Sequence, residues 1–88
     1  MTMVKEMEET YTSLQIALLD LFSDGMKHPI MEVLELIRET RNDYEVSKPN
    51  MAESIRQLRK KLPKGREIHC VSEGRRKYYL MVRHLNPT

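Results

Sequence analysis

At Pro63-Lys64-Gly65 the chain changes its hydrophobic period, and that change restricts what it can fold into. Before this point apolar residues recur every three or four positions, the spacing of one face of an α-helix. After it they alternate, the spacing of a β-strand. The predicted class is therefore α+β, with three helices followed by a C-terminal β-hairpin.

The first helix is expected from about Thr12 to Ser23, with Leu14, Leu18, Leu21 and Phe22 inward and Ile16, Ala17 and Leu19 broadening that face. Thr12 or Ser13 can cap its start, and Asp24-Gly25 ends it. Met3, Met7 and Tyr11 continue the stripe backwards, so the helix either begins near Thr2 or is preceded by an extension. After a "MKHPI" connector, the second helix runs from about Ile30 to Glu39, burying Val33, Leu34, Ile37 and Ile30, with Pro29 in its first turn. "TRNDYEVSKP" has no apolar period and reads as a loop. The third helix carries Met51, Ile55, Leu58 and Leu62 on one stripe. Its start has two readings: an Asn50–Glu53 capping box, or Ser47 one turn earlier with Lys48-Pro49 in the first turn. Pro63 and Gly65 stop it. In the hairpin, Ile68 and Cys70 point one way and His69 and Val71 the other. "SEGRRK" turns the chain, and Leu80 and Val82 are expected to face the core. Of Tyr78 and Tyr79, one faces in and one out.

With 88 residues the chain is one small domain, divided as an extension or helix start at 1–11, the domain proper at 12–84 and a tail at 85–88. The single Cys70 cannot form an internal disulfide, which makes a cytoplasmic setting the expectation. The acidic start "MTMVKEMEET" lacks a signal-peptide pattern, and no apolar run approaches a membrane span. His28, His69 and His84 are far apart and read as carrying no partner at helical spacing, so neither a metal nor a cofactor is expected. Cys70 reads as a small core residue and not a nucleophile. There is no Gly-rich phosphate loop and no G-x-S-x-G, so no enzyme and no small-molecule ligand is expected. Met3, Met7, Tyr11 and Leu14 form a stripe that suits a homodimer contact.

The whole-chain charge of +2 hides a division. Residues 1–44 hold four bases and nine acids, a net of −5, whereas residues 45–88 hold eleven bases and four acids, a net of +7. Such a chain can present one strongly positive face. On a helical wheel, the side of the third helix opposite its apolar stripe shows Asn50, Glu53, Gln57, Lys60 and Lys64, flanked by Arg56 and Lys61. Within "RQLRKKLPKGR" six bases have no acid among them. Amides and carboxylates read base edges, and Lys and Arg hold phosphate. A basic helix alone also complements its own C-terminal dipole. A basic helix followed at once by the basic turn "GRRK" points instead to a polyanion.

The order helix, helix, helix, hairpin, with "SIRQLRKKL" followed by "IHCV" and "GRRKYYL", resembles the winged helix-turn-helix family of DNA-binding domains from about Thr12 to Arg83. It looks most like the effector domains of bacterial response regulators. The resemblance implies a third helix in the major groove and a wing on the adjacent backbone or minor groove. Asn50, Glu53, Ser54 and Gln57 would then face bases. Lys48, Arg56, Lys60, Lys61 and Lys64 would hold the backbone, with Arg75, Arg76 and Lys77 on the wing. Two features depart from the family: no receiver domain or leading sheet is present, and the Thr40–Ser47 loop is longer than a simple helix-turn-helix turn. The expected function is duplex DNA binding by a small transcriptional regulator of a bacterium, phage or plasmid. The alternative is a winged-helix interaction module whose basic face meets an acidic protein.

Overall fold

The computed structural model describes residues 11–83. Among these, three helices, α1 (Ser13–Phe22), α2 (Ile30–Arg41) and α3 (Lys48–Lys61), accompany a three-stranded antiparallel sheet of β1 (His28–Pro29), β2 (Arg66–Glu73) and β3 (Arg76–Arg83). The strand order is β1-β3-β2, which makes the hairpin strand β3 the centre of the sheet. None of the described helices is long and apolar enough to cross a membrane.

Each helix boundary has a local cause. Thr12 caps α1 through a reciprocal box: its hydroxyl accepts the Gln15 N–H at 3.1 Å, and the Gln15 side chain accepts the Thr12 N–H at 3.0 Å. The α2 helix runs two residues further than its apolar pattern, because Asn42 closes it in the left-handed region at φ 56°. For α3 the earlier start holds: Ser47 is the cap, and Asn50 answers it.

The three apolar stripes meet in one core. Leu18 and Phe22 of α1, Val33, Leu34 and Ile37 of α2, and Met51, Ile55 and Leu58 of α3 are buried as their spacing predicts. Ile30 and Leu62 are half-buried at its margin. The sheet closes the core with Ile68, Tyr79 and Met81.

That last set corrects the expected facing of β3. Ile68 pairs with Met81 and Cys70 with Tyr79, so Tyr79 and Met81 share Ile68's face, while Leu80 and Val82 turn to the other and are half-buried. A one-residue change of register reverses every side chain in a strand. Cys70 is also exposed and not in the core: it lies two residues nearer the hairpin tip than Ile68. Tyr78 and Tyr79 do divide outward and inward.

Two elements were not expected. The connector contains β1, which pairs His28 with Tyr79 and Pro29 with Tyr78 and so roots the hairpin on the helical body. An edge strand tolerates proline because one side of its backbone faces no partner. The α2–α3 loop is pinned by Val46, which is buried in the core, and the Arg38 guanidinium donates to the Val46 carbonyl at 3.1 Å. Tyr11 and Leu14, proposed as dimer contacts, serve the fold. The Tyr11 hydroxyl donates to the Lys61 carbonyl at the end of α3, and both side chains pack on the core. Met3 and Met7, together with any start of the first helix near Thr2, lie outside the described residues.

Candidate nucleic-acid interface

The hairpin reverses through Gly74-Arg75, with Glu73 opposite Arg76. Gly74 has φ 63° and Arg75 does not have positive φ, the pattern of a type II′ turn that suits the twist of two paired strands. The turn projects Arg75, Arg76 and Lys77, all exposed. These three line one shallow groove with Lys48, the first residue of α3, over a floor of Pro29, Ile30 and Met31 at the start of α2. The fold thus brings together four cations from two elements distant in sequence.

Nearby acids are already occupied. Glu73, at the base of the turn, is ion-paired with Lys27, whose ammonium also sits 5.4 Å from the centre of the Tyr78 ring. Glu32, in the first turn of α2, faces Nδ1 of His28 at 2.9 Å. Among the described residues, none of Lys48, Arg75, Arg76 and Lys77 has a carboxylate partner. The start of α2 also has no side-chain cap, so its positive dipole end opens on the same groove.

His28 holds this corner in place. The ring is buried, meets Phe22 edge-on at 5.8 Å, and directs Nδ1 to Glu32 and Nε2 to Asp24 at 3.0 Å. A carboxylate only accepts, so both ring nitrogens must donate, and the imidazole is best satisfied as a cation. Burial pulls its pKa down, but the hydrogen bonds to Asp24 and Glu32 outweigh burial and leave the pKa raised. This overturns the expectation that no histidine has a carboxylate at helical spacing: both partners are four residues away.

The middle of α3 is organised differently. Ala52, Glu53, Arg56, Gln57 and Lys60 are exposed. Glu53 accepts from Arg56 Nε at 2.9 Å and Nη2 at 2.7 Å, and from Gln57 Nε2 at 2.7 Å. Hydrogen bonds from Arg56 and Gln57, helped by the charges of Arg56 and Lys60, pull the Glu53 pKa down to about 2. Arg56 is therefore not an unanswered phosphate grip as expected, since it is forked onto Glu53.

Further assignments change. Ser54 is buried between Met51 and Leu58 and cannot face bases. The Asn50 carboxamide oxygen is taken by the Ser47 N–H at 3.2 Å and hydroxyl at 2.9 Å, leaving only its amino end to reach outward. Lys61 turns towards the body, donating to Gln15 Oε1 at 3.0 Å. Lys60 and Lys64 remain exposed near the far end of α3, with Lys60 about 18 Å along the helix from Lys48 at 1.5 Å per residue. Arg59, which sequence reasoning gave no role, donates from Nε to the Ile68 carbonyl at 2.9 Å and ties α3 to β2. Its place beside the apolar stripe, near the buried edge, was the available signal.

No family model, curated protein or solved structure matches the chain.

Proposed function

We propose that this chain is a winged-helix domain that binds duplex DNA as a small transcriptional regulator and catalyses no reaction. In this reading α3 lies in the major groove, and the β2–β3 hairpin is the wing, on adjacent backbone or minor groove. The observation that carries it is the groove of Lys48, Arg75, Arg76 and Lys77, where four cations from the hairpin and the start of α3 converge and, among the described residues, none is ion-paired to a carboxylate. Cations gathered in one groove, with Glu73 and Glu32 engaged by Lys27 and His28, repel one another unless an external anion answers them. A DNA backbone supplies a row of such anions.

β1 and Arg59 support the reading because they fix the hairpin to the body and to α3. Lys60 and Lys64 extend the contact along the opposite end of α3. Six phosphate contacts in all give a slope of log affinity against log salt of roughly −5.

A fluorescence-anisotropy titration of the full chain against a labelled random duplex tests this. Between 50 and 200 mM salt, affinity is expected to fall about a thousandfold. No binding at the lower salt contradicts DNA binding and turns the same groove towards an acidic protein.

A further inference from the structure

The sheet is incomplete at the end away from the hairpin tip. β1 pairs only with Tyr78 and Tyr79, so residues 80–83 of β3 have β2 on one side and no strand on the other. Which main-chain groups face that open side follows from the turn. In a two-residue hairpin the closing pair, Glu73 and Arg76, exchanges both backbone hydrogen bonds, and His69–Leu80 and Glu67–Val82 repeat that arrangement down the ladder. The residues between them turn N–H and C=O away from the partner strand. Ile68 does so on β2, where its carbonyl accepts from Arg59, and Tyr79 does so on β3, where it meets His28 of β1. Met81 and Arg83 follow in the same phase. Among the described residues, no backbone hydrogen bond answers their N–H and C=O groups on the open side.

That side is a cleft of about 510 Å³. All of residues 80–83 line it, as they must where a strand presents its edge, and Leu19 and Phe22 of α1 supply an apolar wall. Its mouth is cationic. Arg66 and Arg83 both line the cleft, stand directly opposite one another across the two strands, and have no carboxylate partner among the described residues. Like charges so placed destabilise a sheet. Asp24 also borders the cleft, but its Oδ1 is taken by the Met26 N–H at 2.9 Å and by His28 Nε2 at 3.0 Å. The cleft is remote from the groove at the hairpin tip: Arg83 is about 23 Å along β3 from Arg76, at 3.3 Å per residue.

We propose that this cleft is a strand-acceptor site, in which an extended acidic peptide of a partner protein adds to the open edge of β3 as a continuation of β1. Running antiparallel to β3, as β1 does, the peptide enters past Arg83. It places one residue opposite Arg83 and the next but one opposite Met81, both with side chains on the sheet face of Ile68, Tyr79 and Met81. The first lies beside the two guanidiniums and suits Asp or Glu. The second lies against the apolar wall and suits Leu, Ile or Val. The recognised pattern is therefore acid, any residue, aliphatic. A free carboxylate would answer the arginines but not the backbone edge, and the edge is what selects a peptide. The site uses no residue of the nucleic-acid groove, so it stands whether or not the chain binds DNA.

The test is fluorescence anisotropy of a labelled, capped peptide, Ser-Thr-Glu-Thr-Leu-Thr-Ser, titrated with the full chain. Saturable binding below about 1 mM is expected, with amide chemical-shift changes centred on Arg66 and residues 80–83. Replacing the peptide's Glu by Lys is expected to weaken binding by about 10-fold or more, the worth of a charge-assisted hydrogen bond. N-methylation of the peptide's Leu removes its hydrogen bond to the Met81 carbonyl and is expected to weaken binding by about 5-fold or more. Arg83→Gln is expected to lower the Glu-over-Lys ratio by about 5-fold while keeping the N-methyl effect, which an unfolded variant does not. If the peptide does not bind, if the N-methylated peptide binds as well as the unmodified one, or if Arg83→Gln leaves the ratio unchanged, the inference is overturned. It is overturned equally if the shift changes fall at Lys48, Arg75, Arg76 and Lys77, which would place the acidic peptide in the tip groove.

Discussion

The hairpin tip and the middle of α3 are both exposed and both rich in charge, yet they handle that charge in opposite ways. At the tip, Glu73 is drawn off by Lys27, and Arg75, Arg76 and Lys77 are left with Lys48 around an open groove. On α3, Glu53 is held by Arg56 and Gln57, so the region closes on itself. Composition alone does not separate the two. What separates them is where the nearest carboxylate is bound. Unanswered charge suits a ligand recognised by charge, and answered, geometrically fixed charge suits a ligand recognised by pattern.

The largest effect is expected where charge is unanswered. Arg75→Ala with Arg76→Ala should weaken binding to random duplex on the order of 100-fold at 50 mM salt and make the salt slope shallower by about two. It should leave any sequence preference in place. If preference and affinity fall together, the division between gripping and reading is wrong.

A smaller effect is expected at the tie between the regions. Arg59→Ala removes the link from α3 to the Ile68 carbonyl and should destabilise the fold by about 1 kcal/mol, the usual net worth of one hydrogen bond. For a domain of this size that lowers Tm by about 4–8 °C, measurable by circular dichroism. An unchanged Tm would mean that the hairpin is held by the sheet and core alone.

The smallest effect lies at the root of the hairpin. The folded pKa of His28 is raised, so its contribution to stability is complete below the unfolded value of about 6.5 and is lost as pH rises through the folded value. Tm should therefore decline as pH rises above about 6.5, and His28→Gln should remove that part of the decline. A wild-type pH profile identical to the variant's would show that His28 is not charged in the fold.

How far the sequence revealed these regions depended on how redundant each signal was. The helices were legible because Leu18, Phe22, Val33, Leu34, Ile37, Met51, Ile55 and Leu58 repeat one spacing many times over. The start of α3 was not unique, because Ser47–Asn50 and Asn50–Glu53 both have the chemistry of a capping box. The facing of β3 was misread because Tyr78 to Val82 is an unbroken apolar run, in which alternation carries no information and only pairing with Ile68 decides. β1 was invisible because two residues ending in proline carry no period.

The site was legible as a set of cations but not as two regions. Ser54 lies three residues after Met51 and four before Leu58, which places it on the core side. The Glu53–Arg56 pair could also have been read, since the acid stands one helical turn before the base. The acid-free run from Arg56 to Arg66 begins just after Glu53 and so obscures the pair. The groove could not be seen in advance, because nothing local relates Lys48 to Arg75.

The most direct measurement is a map of backbone amide chemical shifts of the full chain as a short duplex is added at low salt. The account predicts one continuous set of changes over Lys48, the exposed side of α3 through Lys60, and Arg75 to Lys77. Changes on the acidic outer surfaces of α1 and α2, or only at the hairpin tip with α3 silent, would contradict it.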